Sequence, residues 1–206
     1  MPMMIENRMD TIITADDQEV RSSRLPGEPG VWVLIGGDML VFSLFFLTFL
    51  TYRNSSLPLY QYAQSLLNLP LGLINTILLL TSSWFVAQAV QATRRDRLQT
   101  APTFFGLAFL CGLGFVCLKI VEYHEKLTAG LDLGTNEFFM FYFMLTGIHL
   151  LHVLVGLGVL AGLRYKTSHQ IHASGHDVAL IESGATFWHL VDVLWIVLFA
   201  LLYLVR

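Results

Sequence analysis

The stretch Phe187 to Leu204, FWHLVDVLWIVLFALLYL, decides how the rest of the chain is read. It is long and apolar in the manner of a membrane helix, yet it holds His189 and Asp192 three positions apart. An ionised group near the bilayer centre costs about 2.5–3.5 kcal/mol on insertion scales. The two residues must therefore be neutral, paired, or turned toward protein.

The whole composition agrees with a membrane setting. Of 206 residues, 55% are hydrophobic and 13% are charged, where soluble domains carry about a quarter charged residues. The formal charge of −3 is small and gives no reason to expect a nucleic-acid partner. Cys111 and Cys117 share one apolar segment, roughly 9 Å apart along a helix axis. That is too far for a disulfide, so both read as packing residues. The first ~30 residues are polar and acidic, unlike a cleaved signal peptide.

Crossing a bilayer takes about 20 apolar residues, and five segments qualify: about Val31 to Tyr52, Pro70 to Val90, Pro102 to Tyr123, Glu137 to Leu163, and Val178 to Val205. Backbone in lipid has to satisfy its own hydrogen bonds, so these segments are predicted to be helices. The expected fold is all-α: a polar cytoplasmic tail over 1–30, then a single five-helix transmembrane domain over 31–206. Orientation follows from the cationic residues. Arg8, Arg21, Arg24, Arg94, Arg95, Arg97, Arg164 and Lys166 fall on one side, and Arg53, Lys126 and Arg206 on the other. The positive-inside rule then places the N-terminus inside and the C-terminus outside. Lys119 lies within the third span. It is expected to snorkel toward the outer edge and to pair with Glu122 at i+3.

The candidate functional residues are the polar groups inside the spans: Asp38, Glu122, His149, His152, Glu182, His189 and Asp192. At 100° per residue, Glu182, His189 and Asp192 share one face of the fifth span. Tyr142, Thr146, His149, His152 and Gly156 share a broad face of the fourth. By axial rise, His152 and His189 lie roughly 16 and 15 Å from the inner edge, and His149 and Asp192 both roughly 20 Å. These depths predict two interhelical pairs, His152 with His189 and His149 with Asp192. Asp38 has no partner on its own helix and continues into a stripe of Phe42, Phe45 and Phe49.

Several roles suit such groups. Interhelical hydrogen bonds can simply join helices. Histidines and buried carboxylates can hold protons. His149 or His152 together with His189 could grip a haem, as in an independent electron carrier. A proton channel through Asp38 is a further reading, but no inverted repeat or broken helix points to a transport site. Gly158 and Gly162 form a GxxxG pattern suited to close helix contact. His169, His172 and His176 read as solvated loop residues. No residue set forms a catalytic centre, and no cofactor or metal site is expected in the chain itself.

Five strings in order carry a resemblance to one family. FWHLVDVLWIVLFALLYL resembles the last helix of subunit III of the haem-copper oxidases, and TGIHLLHVLVGLGVL its penultimate helix. KIVEYHEKL, INTILLLTSSWFVAQAV and IGGDMLVFSLFF are similar to three earlier helices, the last of these carrying the family's buried acid. The resemblance implies a non-catalytic subunit of a respiratory oxidase in a bacterial inner membrane. It implies packing against a catalytic subunit that holds haem with copper or iron, bound phospholipid, and support of stability, assembly or proton uptake. By position the buried acid is Asp38, the helix-end glutamate Glu122, and the histidine pair His149 and His152. The last-helix set is Glu182, His189 and Asp192.

Two departures from the family pattern stand out. Mitochondrial-type chains have seven helices, two of which form the lipid cleft, and this chain has five spans. The acid is aspartate, as in quinol-oxidase-type chains, rather than glutamate. The entrance LPGEPGVWVLIGGDMLVF resembles the accessory proteins associated with nitric oxide reductase. The chain's length also fits subunit III of a cytochrome o-type quinol oxidase.

Overall fold

The structure, a computed structural model, describes residues 29–95, 97, 99–169 and 175–205. Most of the 1–30 tail, with Arg8, Arg21 and Arg24, lies outside the described residues, as do His172 and Arg206. The elements are α1 (Pro29–Ser55), α2 (Leu57–Ser65), α3 (Leu69–Arg94), α4 (Ala101–Thr128), α5 (Glu137–His169) and α6 (Gly175–Phe199). A π-helical turn, Ala200–Leu204, ends α6. Among the described residues there is no strand. Five helices, α1 and α3 to α6, are long and apolar enough to cross a membrane.

Local chemistry sets the helix boundaries. Proline stands in the first turn of α2, α3 and α4, where its missing N–H costs nothing. Asn68 Oδ1 accepts from Leu71 N at the start of α3 (3.3 Å), and Asn136 Oδ1 accepts from Phe139 N at the start of α5 (2.9 Å). Both satisfy amides that a helix start leaves free. Helix α4 ends at Gly130, whose φ of 76° needs no Cβ. The bonds Gly130 N to Leu127 O and Leu131 N to Lys126 O close a Schellman turn.

Helices α3, α4, α5 and α6 form a four-membered ring in which each packs on its two neighbours. Short connections make this an up-down-up-down bundle. Helix α1 lies outside the ring, against α5 and α6. The most apolar window of α1 is only 11% buried, against 56% for the last span, so the outer face of α1 is left for lipid or a partner.

Large aromatics lock the ring together. The Trp188 indole of α6 lies over Gly112 of α4 and Gly156 of α5, where an added Cβ would come within 2.8 and 2.7 Å of it. Across the ring, Phe115 meets Trp195 edge-on at 4.8 Å between ring centres. By contrast, a Cβ added at Gly158 or Gly162 meets nothing within 4 Å. The GxxxG pattern therefore faces out of the bundle, and Gly156 provides the close approach within it.

Between the first two expected spans, residues 57–65 form the short helix α2. Its one inward turn, Tyr60, Ala63 and Gln64, is buried. Tyr60 wedges between Phe49 and Phe138. Gln64 Nε2 donates to Leu201 O (3.3 Å) and Val205 O (2.9 Å), and Arg53 Nη2 donates to Val205 O (3.4 Å). These donors satisfy carbonyls that the end of a helix leaves open.

Candidate functional site

The buried polar residues fall into separate groups, each between a different set of helices. The first joins α1 to α5. Asp38 Oδ2 lies 3.5 Å from His152 Nε2, with both side chains partly open. His152 Nδ1 sits 2.9 Å from Ile148 O. A carbonyl only accepts, so Nδ1 carries the ring hydrogen. In the neutral ring Nε2 then presents a lone pair to the carboxyl. One further proton, on Asp38 or on Nε2, turns this contact from repulsive to attractive. The ring of Phe42 flanks His152 edge-on at 5.6 Å.

The second group lies inside the ring. Lys119 is fully buried, which corrects the snorkelling expectation. Its ammonium donates to Glu122 Oε2 (3.0 Å), Tyr142 Oη (3.2 Å) and Tyr203 Oη (3.2 Å), using all three N–H bonds. Tyr203 Oη donates to Glu122 Oε1 (2.5 Å). The Lys119 nitrogen also lies 5.0 Å from the Trp195 ring centre and 4.9 Å from that of Tyr142. Charge, hydrogen bonds and aromatic faces together compensate a cation that would otherwise be prohibitive to bury.

The third group joins α3 to α6. His189 Nδ1 lies 2.5 Å from Ser83 Oγ, and Asp192 stands three residues beyond His189 on the same helix. Nearer the helix end, Arg94 Nε donates to Glu182 Oε1 at 2.8 Å. A groove of about 400 Å³ connects the two, lined by Gln88, Gln91, Arg94, Glu182, Thr186 and His189.

The pairs expected from depth are replaced. His152 turns to Asp38 on α1, and His189 turns to Ser83 on α3. His149 packs between Phe115 and Trp195. Neither of its ring nitrogens has a hydrogen-bond partner among the described residues, so it is not bonded to Asp192. The depth count was one-dimensional. The rotation of each helix about its own axis, set by how Trp188 and Trp195 pack, turned the histidines to different neighbours. The three histidines of the haem-gripping reading therefore turn to different neighbours: His149 to Phe115 and Trp195, His152 to Asp38, and His189 to Ser83. No set of three His, Cys, Asp or Glu side chains among the described residues is placed to hold a metal. Ser83, Tyr142 and Tyr203 are bonding partners that the sequence does not single out. Their only sequence signal was a hydroxyl at matching depth on a neighbouring span.

Residues 28–205 match the family described as Cytochrome c oxidase subunit III, which covers the whole five-span region. The chain belongs to the cytochrome c oxidase subunit III family. It is 32% identical over 188 residues to quinol oxidase subunit 3 of Bacillus spizizenii, with 85% of each chain covered. It is 25% identical over 203 residues, 98% of each chain, to cytochrome bo(3) ubiquinol oxidase subunit 3 of Buchnera aphidicola. It is 27% identical over 175 residues to cytochrome c oxidase subunit 3 of Bacillus sp. strain PS3, covering 85% of this chain and 84% of that one. A subunit III is a non-catalytic subunit of a haem-copper oxidase and associates with a catalytic subunit. The chain is accordingly a multi-pass bacterial membrane protein. These relatives are named for quinol or cytochrome c oxidases, and none is named for nitric oxide reductase.

Proposed function

We propose that this subunit III sits in the bacterial inner membrane with its N-terminus in the cytoplasm. There it packs against a catalytic subunit carrying haem and copper, and sustains that subunit's stability and proton uptake. The observation that carries this reading is the Asp38–His152 contact at 3.5 Å, on the side of the bundle where α1 stands apart from the ring. This contact supports the reading because it lies at the least enclosed helix, where a partner would meet it.

Lipid binding is supported by an apolar recess of about 320 Å³ between α1, α5 and α6, walled by residues such as Val31, Leu34, Val155 and Phe187. Its shape and chemistry suit an acyl chain. A quinol as electron donor is favoured by the relative of matching extent, the ubiquinol oxidase subunit that aligns over 98% of both chains. The aspartate at position 38 points the same way.

The test is purification of the tagged chain in mild detergent with its optical spectrum recorded. The expected result is co-purification of a second polypeptide with a haem Soret band. Deletion of the chain is expected to lower quinol oxidation without abolishing it. A Soret band on the isolated chain, lost on His189→Ala, would overturn the reading in favour of an electron carrier. Complete loss of haem-copper chemistry on deletion would remove the accessory role.

A further inference from the structure

The seam between α4 and α5 ends at a cation with no counter-ion among the described residues. Arg164 lies near the end of α5, on the side of the membrane where Arg94 and Arg95 close α3. Two other cations of that side are paired. Arg94 meets Glu182 at 2.8 Å, and Lys166 meets Asp177 at 2.7 Å. The Arg164 guanidinium has neither an ion pair nor a hydrogen bond among the described residues.

That cation is nonetheless held in place. A Cβ added at Gly106 of α4 would come within 3.3 Å of Arg164 Cζ and Nη1. The planar group therefore lies against bare α4 backbone, in a seat that glycine leaves open. Beside it is a pocket of about 350 Å³, lined by Phe109, Ala161, Arg164, Tyr165 and Ser168. Small-molecule sites span roughly 300–1,000 Å³, so the pocket has room for a headgroup. Ser168 Oγ already donates to Tyr165 O at 2.8 Å. Arg164 and the Tyr165 hydroxyl are thus the donors left at the pocket, and Phe109 and Ala161 are its apolar walls. Ala161 follows His152 by nine residues, which is half a turn around an α-helix. His152 meets α1, so the pocket opens on the opposite side of α5, away from the proposed partner. Tyr165 is 68% exposed, as tyrosines of the membrane–water interface are.

We propose that this pocket binds the phosphodiester headgroup of an anionic phospholipid from the leaflet on the Arg94 side. The guanidinium fork matches two phosphate oxygens. The first methylenes of the lipid run along Phe109 and Ala161. A zwitterionic headgroup carries its own cation and gains less from Arg164. The site is separate from the apolar recess beside α1. It needs no catalytic partner, and its failure would leave the co-purification result untouched.

The experiment reconstitutes the full chain in vesicles of equal phosphatidylglycerol and phosphatidylcholine. The chain is then extracted in mild detergent, which strips lipid held only by surface potential, and both lipids retained per chain are counted by mass spectrometry. The native chain is expected to enrich phosphatidylglycerol about fivefold, the worth of one basic group at a membrane surface. Arg164→Gln should bring the ratio close to one. Ala161→Phe fills the pocket from an exposed position without altering charge, and should lower the ratio as well. Arg95→Gln removes an exposed cation of the same side and should lower it far less. Equal losses in Arg95→Gln and Arg164→Gln would reduce the preference to diffuse charge and overturn the site. Unchanged enrichment in Ala161→Phe would overturn the pocket. Displacement of the lipid by inorganic phosphate would mean an anion site that does not select lipid. Release of a co-purifying polypeptide by Arg164→Gln, with the lipid ratio unchanged, would assign the seam to a protein and overturn the proposal.

Discussion

Asp38 on α1 and His152 on α5 meet with Oδ2 3.5 Å from Nε2, while the other ring nitrogen is held by Ile148 O. The carbonyl fixes the tautomer, so the pair is attractive only when it holds one additional proton. The contact also couples a loosely packed helix to the ring, and that coupling can be measured. Asp38→Leu is expected to cost about 1 kcal/mol of stability in detergent. Adding His152→Leu should cost little more, because the pair is already broken. A double-mutant cycle reads the coupling, expected at about 0.5–1.5 kcal/mol. Strict additivity would mean that the residues are neighbours without interaction.

The Lys119–Glu122 pair behaves differently because both side chains are fully enclosed. Removing one partner strands a buried charge, at a cost of about 3–5 kcal/mol. Lys119→Met and Glu122→Gln should each lower the unfolding temperature sharply. The double variant should recover part of the loss, because no unpaired charge remains. Thermal unfolding of the purified protein in one detergent checks all three. A double variant as unstable as the sum of the singles would argue against a charge pair.

Two glycines of one helix should respond oppositely to the same change. Gly156→Ala brings a Cβ to 2.7 Å of the Trp188 ring, whereas Gly158→Ala meets nothing within 4 Å. Overpacking of this kind costs about 1–3 kcal/mol. The open position should gain up to about 1 kcal/mol from the better helix former. Trp188 fluorescence should shift in Gly156→Ala and stay constant in Gly158→Ala.

Tyr60 lies on α2, outside the spans, and its hydroxyl has no hydrogen-bond partner among the described residues. Burial, then the nearby Glu137 and Tyr52, push its phenol up from 10.0 to about 12. The folded state therefore keeps the proton longer than the unfolded chain. Its stability contribution is whole below about pH 10 and is lost as pH rises toward 12. Tyr60→Phe should match the native protein at neutral pH and unfold less readily above pH 10. Identical alkaline unfolding curves would show that Tyr60 does not titrate with folding.

Much of this was legible residue by residue. The five spans required only length and hydropathy, and all five appear as helices. Lys119 and Glu122 are a turn apart on one helix, so their pairing followed from spacing. The short helix α2 was missed because one turn of inward residues in nine gives little periodic signal. The partners of His149, His152 and His189 were misassigned for a different reason. Axial depth is countable along a sequence, but the azimuth of a helix is set by what packs against it.

The sequence alone determined that five segments are long and apolar enough to cross a membrane and which polar residues lie within them. Those facts depend on transfer free energies, which act on each segment independently of the others. Only the tertiary structure decided that Asp38 faces His152, that His189 meets Ser83, and that Lys119 is caged by Tyr142 and Tyr203. Helix rotation is fixed collectively, by the seating of Trp188 between Gly112 and Gly156 and of Trp195 against Phe115. No single segment carries that information, because each of these contacts exists only once neighbouring helices have docked.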